Sequence, residues 1–323
     1  MYTPSERDYR SLPGYSRTYK QSKLTLGVFF PIEAFPGDEP QMVNQIALAK
    51  AAEAANFAAV WVRDVPLRDP TFGDVGQVFD PWVYLGFLAG QTTKIAFGTA
   101  AIVLPIRHPL HVAKAAASVD QLSGGRLLLG VASGDRPVEF PAFGIQPDHR
   151  GERFRTSVAV FRESLRGHFD TLEWPGGLVE KADLIPKPIA RDIPLLVTGS
   201  SRQSLDWIAT HADGWLSYPR PFLAQKSVLD QWRSTVEAVA SGEFKPFSQS
   251  LFVDLAFDPD EPPRPIHQGY RLGHKHLIDL LFSLEKIGVN HVMFNLKYGQ
   301  RPAAEVLEEI AEHVAPYFPA RSA

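Results

Sequence analysis

The chain of 323 residues is 45% hydrophobic and 21% charged, with a formal net charge of -3 and no cysteine. That balance suits a soluble globular protein and gives no broad attraction to nucleic acid or an anionic membrane. The missing cysteines exclude disulfides, thiolate metal sites and cysteine nucleophiles together.

The first residues, "MYTPSERDYRSLPGYSRTYK", lack the apolar centre of a signal peptide. No apolar run reaches the ~18 residues of a membrane span. The expected compartment is the cytoplasm, and residues 1–20 are expected to form a polar, tyrosine-bearing N-terminal arm on the surface or on a partner. The first strand is "LTLGVFF" (24–30), followed by a helix that places Val43, Ile46, Ala47, Ala54 and Phe57 on one face. "AAVWVRD" (58–64) follows as a second strand, then a helix over 81–90 and a long third strand, "KIAFGTAAIVLP" (94–105).

The helix from His108 to Leu122 carries Val112, Ala116, Val119 and Leu122 on one stripe, and Gly124-Gly125 stop it. "RLLLGVAS" (126–133) is the fourth strand. A helix over 151–168 leads to strand "PLLVTGS" (194–200), a helix over 202–210, the short strand "GWLSYP" (214–219) and a helix over 222–240. "SLFVDLAFD" (250–258), a helix over 272–287 and "HVMFNLK" (291–297) complete the alternation, and a last helix carries Val306, Leu307, Ile310, Ala311 and Val314.

Eight strands alternating with helices fit an open doubly wound sheet or a closed barrel. The count over this length favours an α/β (β/α)8 TIM barrel spanning 21–323 as a single domain, with its active site at the C-terminal strand ends. Two stretches break the rhythm, 135–150 and "DPDEPPRPIHQ" (258–268). They are insertions after strands four and seven, so both are expected on the mouth as lids or partner surfaces.

Strand ends are then where function is read. In "TGSSRQS", Gly199 permits close backbone approach, and Ser200, Ser201 and Ser204 place hydroxyls at a helix start, where N–H groups and the dipole attract anions. Helix capping by Ser200 or Ser201 is the plainer reading. At the end of "RLLLGVAS" the bulk gives way to Ala132, Ser133 and Gly134, as it does where something approaches the backbone. Trp61, Phe30, Trp215, Tyr218 and Phe294 fall near strand ends and are expected to wall a pocket for a small, fairly apolar substrate. His274 and His276 in "GHKH" are two apart and face different sides of a helix, so no metal site is expected. No GxSxG, GxGxxG or GxxxxGK[ST] motif supports a hydrolase, a Rossmann site or a P-loop.

"GTAAIVLPIRHPLHVAKAAASVDQLSGGRLLLGVASGD", "EFPAFGI" and "PLLVTGSSRQSLDWIA" together resemble the bacterial luciferase-like family of flavin-dependent monooxygenases, from Leu24 to about Tyr218. The resemblance implies a barrel holding FMN at its mouth, reduced by a separate flavin reductase and used with O2 to oxygenate a small-molecule substrate. It also implies a homodimer. It places the third-strand bulge behind the flavin at Thr99, Ala100 and Ala101, with Ala100-Ala101 as the cis bond, and a flavin edge near Ser133. It puts the phosphate on Ser201 and Ser204 with Arg150 or Arg153, in the same loop where Gly199 and Ser200 already offer an anion seat.

The departures from luciferase itself matter too. The histidine base near the end of strand two is replaced by Arg63 and Asp64, and the reactive cysteine of strand four by Ala132, so light emission is not implied. Asp64 is the nearest general acid or base, or else a structural partner of Arg63 or Arg68. His108 has substrate contact or helix capping open to it. The same barrel also hosts deazaflavin-dependent dehydrogenases and non-catalytic flavin-binding proteins, which stay as alternatives.

Overall fold

The computed structural model describes residues 7–321. Among them, eight parallel strands close into a barrel: β1 (Thr25–Phe29), β2 (Ala59–Val62), β3 (Ala96–Thr99), β4 (Leu127–Ala132), β5 (Leu195–Thr198), β6 (Gly214–Ser217), β7 (Phe247–Leu255) and β8 (His291–Asn295). Each pairs with the next, and β8 returns to β1 with Thr25 opposite His291. β1, β2 and β3 are buried at every position. Barrel strands covered by side chains inside and helices outside are apolar on both faces, hence their lack of alternation.

The helices are α1 (Pro13–Thr18), α2 (Gln45–Ala54), α3 (Pro81–Ala89), α4 (Pro109–Ser123), α5 (Glu139–Ala142), α6 (Arg150–Arg166), α7 (Leu205–His211), α8 (Phe222–Val239), α9 (His274–Ile287) and α10 (Ala303–His313). Among the described residues, no helix is long and apolar enough to cross a membrane. α4 is stopped at Gly124, whose φ of 70° is the left-handed region that glycine enters at least cost.

Of the N-terminal arm, residues 1–6 lie outside the described residues. The rest packs more tightly than an arm on the surface would. Tyr15 and Tyr19 are buried beneath the barrel, and the Tyr19 hydroxyl lies 3.0 Å from Ser248 Oγ at the start of β7. The polar floor continues through His291, whose ring burial pushes down to about 3. Trp61 Nε1, a donor only, gives its hydrogen to His291 Nε2 at 2.9 Å. The neutral ring therefore carries its proton on Nδ1, 2.8 Å from Thr25 Oγ1, which in turn donates to the Thr18 carbonyl at 2.7 Å. Each polar side-chain atom in this relay from Trp61 through His291 and Thr25 to the Thr18 carbonyl has a partner, as a dry interior requires.

Three additions lie outside the simple alternation. The insertion after β4 holds α5. The one after β7 is a hairpin of Arg264–Ile266 and Gly269–Leu272, whose second strand adds to β7. A further hairpin, Leu172–Trp174 with Gly177–Val179, follows α6 and carries no signal that the sequence reading used.

Candidate active site

Ala100 and Ala101 interrupt the third strand, which resumes at Ile102–Val103 beside Val131 and Ala132 of β4. Their peptide bond is cis, as the resemblance implies. Beside this bulge a Cβ on Gly130 would lie 1.9 Å from the Thr99 carbonyl oxygen. The glycine at which the leucine run breaks is thus required by the neighbouring strand rather than by a ligand. Gly134 is similar: its φ is 82°, and a Cβ there would meet Val103 Cγ1 at 2.8 Å.

Directly above the bulge, at the C-terminal mouth, is a cavity of about 320 Å³. β2 contributes Arg63 and Val65 to it, the bulge Ala100 and Ala101, and the end of β4 Ala132 through Arg136. Arg150 enters from the start of α6, Thr198 through Arg202 from the end of β5, and Tyr218 from the end of β6. Phe72 closes one side. A larger pocket of about 400 Å³ lies on the barrel's flank between α4, α6 and the hairpin after α6. None of the unpartnered buried polar atoms of the described residues falls on that flank pocket, whereas five line the mouth: Arg63 Nε and Nη2, Arg136 Nη1, Arg150 Nε and Thr198 Oγ1. Buried donors without acceptors are costly, and their convergence marks the mouth as a place for an anionic or acceptor-rich ligand.

The loop after β5 is shaped for such a ligand. Gly199, Ser201 and Arg202 have φ of 57°, 44° and 62°, which turns successive peptide groups and makes a concave rim where anions bind. Space above Gly199 is open, with no atom within 4 Å of where a Cβ would sit. Trp215 Nε1 donates to the Gly199 carbonyl at 2.7 Å and pins the loop from below. The Ser201 hydroxyl is turned to the Thr198 carbonyl at 2.7 Å.

Several sequence expectations meet here and others do not. Arg63, Ala100, Ala101, Ser133, Arg150, Gly199, Ser200 and Ser201 share the cavity. Thr99 is fully buried behind it and donates to the Gly130 carbonyl at 2.7 Å. Arg153 is exposed and reaches the Pro105 carbonyl at 3.4 Å, so of the two arginines Arg150 lines the cavity. Ser204, not Ser200 or Ser201, caps α7, accepting from the Trp207 N–H at 3.2 Å. The left-handed turn at Ser201 and Arg202 delays the helix to Leu205. His108 is exposed and caps α4, its Nδ1 accepting from Leu110 N at 3.3 Å, away from the cavity.

The expected pairing of Asp64 with Arg63 or Arg68 is corrected. Asp64 is held by Arg107 from beyond the bulge and also accepts from Val103 N at 3.1 Å. Arg63 pairs instead with Asp74 at 2.9 Å, and Arg68 with Asp38 and Glu39. Arg63 and Asp64 lie just past the end of β2, and each takes its partner from a different segment, Asp74 for Arg63 and Arg107 for Asp64. The aromatic wall also changes. Phe30, Trp61, Trp215 and Phe294 are core residues, and of the five only Tyr218 reaches the cavity.

Two groups in the insertion after β4 escaped the sequence reading. Arg136 is 5% exposed, donates to the Asp74 carbonyl and lies 4.1 Å over the Phe72 ring. Glu139 is 1% exposed, and burial pushes its carboxyl up to about 7; Arg136 and Arg107 oppose the shift, and the Asp64 and Asp135 carboxylates add to it. Nothing in their spacing distinguishes them from solvent-facing charges.

The luciferase-like monooxygenase family matches residues 24–272. The chain belongs to that family. Uncharacterized protein Rv0953c of Mycobacterium tuberculosis (strain ATCC 25618 / H37Rv) is 32% identical over 198 residues, 55% of this chain and 68% of that one. Among solved structures, an F420-dependent secondary alcohol dehydrogenase in complex with an F420-acetone adduct is similar with a TM-score of 0.74 at 18% identity, covering 93% of this chain and 100% of that chain. The oxygenating constituent of 3,6-diketocamphane monooxygenase from Pseudomonas putida, in complex with FMN, gives a TM-score of 0.70 at 16% identity, with 93% and 100% covered. These likenesses show the closed barrel fold.

Proposed function

We propose that this protein is an FMN-dependent monooxygenase whose cofactor and small-molecule substrate share the cavity at the barrel mouth. The observation that carries the reading is the pair of unpartnered buried atoms, Arg150 Nε and Thr198 Oγ1, converging on one space beside the loop after β5. On the β5 side, Arg150, Thr198 and the left-handed loop through Ser200, Ser201 and Arg202 suit a phosphate, which takes charge-assisted bonds from arginine and backbone N–H groups. Ala100, Ala101, Ala132 and Ser133 leave a flat, small-residue floor against which a planar ring fits. Reduced FMN bound there would supply the two electrons and protons with which one atom of O2 goes to substrate and the other to water.

The chain's own part is positioning. The bulge presents a smooth surface, the arginines fix the anionic ends, and Phe72 and Tyr218 limit water at the rim. The reduced cofactor would come from a separate flavin reductase, and the expected setting is cytoplasmic. Exposed Val83 and Phe87 on α3 and exposed Leu122 on the neighbouring α4 support a homodimer.

A second reading, a deazaflavin-dependent dehydrogenase on the same barrel, is favoured by the likeness to the F420-dependent secondary alcohol dehydrogenase and by a relative 30% identical over 212 residues, the F420-dependent hydroxymycolic acid dehydrogenase of Mycobacterium tuberculosis. The chain spans 56% of that relative. FMN and riboflavin titrations of the wild type and Arg150→Ala test the phosphate seat. The variant is expected to bind FMN more weakly by about tenfold and riboflavin unchanged. Equal loss for both, or none, would remove the seat from Arg150.

A further inference from the structure

The mouth holds two cationic clusters, and one phosphate accounts for one of them. Arg150 and Arg202 go together: Arg202 Cβ is 2.9 Å from where a Cβ on Gly151 would sit, and Gln203 Nε2 donates to the Gly151 carbonyl at 2.9 Å. Arg63 and Arg136 form the other cluster, joined through Asp74, which takes Arg63 on its carboxylate and Arg136 on its backbone carbonyl.

Arg136 is the unusual member. It is 5% exposed, and no carboxylate of the described residues lies within ion-pair distance of it. Its Nη1 is buried without a partner, and so are Nε and Nη2 of Arg63. Burying a guanidinium without its acceptors is costly, and Arg126 shows how the fold meets that cost where no ligand is at hand. Arg126, equally buried and also without an acid at hand, places its N–H groups on the carbonyls of Ala89, Thr92, Ile95 and Ser123. The acids around Arg136 do not substitute for a ligand. Asp74 is committed to Arg63 at 2.9 Å, Asp135 is exposed to water at the rim, and Glu139 makes no ion pair. Asp64 and Asp80 are taken by Arg107.

We infer that Arg63 and Arg136 form a carboxylate subsite, so the substrate is a small organic acid with an apolar body. A planar guanidinium fork matches a carboxylate with two parallel N–H···O bonds, and Phe72, Val65 and Ala100 border the same space with apolar surface for the rest of the molecule. The inference rests on the proposed function for the cofactor's side of the cavity. The subsite's own chemistry needs only the two arginines.

The test is calorimetric titration of FMN-loaded and FMN-free protein with acetate, benzoate and phenylacetate, each against its neutral amide. Wild type, Arg136→Gln and Arg63→Gln are compared after their folding is checked by circular dichroism, so that one folded variant suffices. At least one acid is expected to bind, its amide on the order of tenfold more weakly, and either variant is expected to lose about tenfold for the acid while FMN affinity stays within about twofold. Amides that bind as well as acids, or no acid binding at all, would overturn the subsite. So would an Arg136→Gln variant that loses FMN but keeps riboflavin, since the arginine would then hold the cofactor's phosphate. If FMN fails to bind but an acid still binds the FMN-free protein in an Arg136-dependent way, the cofactor assignment falls and the subsite stands.

Discussion

Arg107 grips Asp64 with two arms of its guanidinium, Nε at 2.7 Å from Oδ2 and Nη2 at 2.6 Å from Oδ1. The Asp64 side chain is fully buried and also takes the Val103 N–H, so it ties the end of β2 to the far side of the bulge. Its oxygens are committed, and it is not among the residues lining the cavity. Asp64→Asn removes a buried charge from the bidentate pair while the partly exposed Arg107 keeps Asp80 at 3.2 Å, and is expected to destabilise the fold by about 1–2 kcal/mol. Urea unfolding checks this. An unchanged midpoint together with lost turnover would return Asp64 to a chemical role.

Ser201 and Ser204 separate by function. Ser204 caps α7, so Ser204→Ala is expected to cost about 1 kcal/mol of stability and leave FMN affinity alone. The Ser201 hydroxyl donates to the Thr198 carbonyl, and a phosphate oxygen offers it a charged acceptor in exchange. Ser201→Ala is expected to weaken FMN binding by about 1–2 kcal/mol. Thermal melts and FMN titrations of both variants read the two effects apart, and reversed results would contradict the assignment.

Glu139 makes stability depend on pH. Its folded carboxyl sits at about 7 against an ordinary value of 4.5, so the folded state holds the proton more tightly than the unfolded chain. The contribution is fully present below the unfolded value and is lost as pH rises toward about 7. Glu139→Gln is expected to flatten the wild type's decline over that window and to be the more stable of the two above it. Chemical denaturation at a series of pH values measures this, and parallel curves for the two proteins would contradict it.

Gly130→Ala places a methyl 1.9 Å from the Thr99 carbonyl oxygen, where backbone on both strands has to move. The expected loss is about 3 kcal/mol, at the upper end of overpacking costs. Because Thr99 adjoins Ala100 and Ala101, which line the cavity, a variant that still folds is also expected to bind FMN less well. Wild-type melting by Gly130→Ala would show that the two strands are less closely apposed than described.

The barrel was legible because its evidence is local. Apolar runs without alternation, helical stripes such as Val112, Ala116 and Val119, and the stop at Gly124 each occupy a short stretch of chain. Boundaries slipped where backbone conformation departs from pattern, as at α7, whose start moves from 202 to Leu205 behind the left-handed Ser201 and Arg202. The small residues of the mouth were legible for the same reason as the strands. The charged partners were not. Asp64 and Arg107 are 43 positions apart, and which arginine an aspartate meets depends on the closure of the barrel. Arg136 and Glu139 sit in an insertion with no periodicity, where a buried charge reads like an exposed one. The aromatic residues misled in the opposite direction: strand-end position did not tell core-facing Trp61 and Phe294 from cavity-facing Tyr218.

The most direct test of the central claim is an anaerobic titration of the purified protein with reduced FMN, in parallel with a reduced deazaflavin coenzyme, followed by fluorescence and absorbance. Reduced FMN is expected to bind saturably, less tightly to Arg150→Ala, with the deazaflavin bound more weakly than FMN. Binding of the deazaflavin alone would contradict this and place the protein among the dehydrogenases that work without O2.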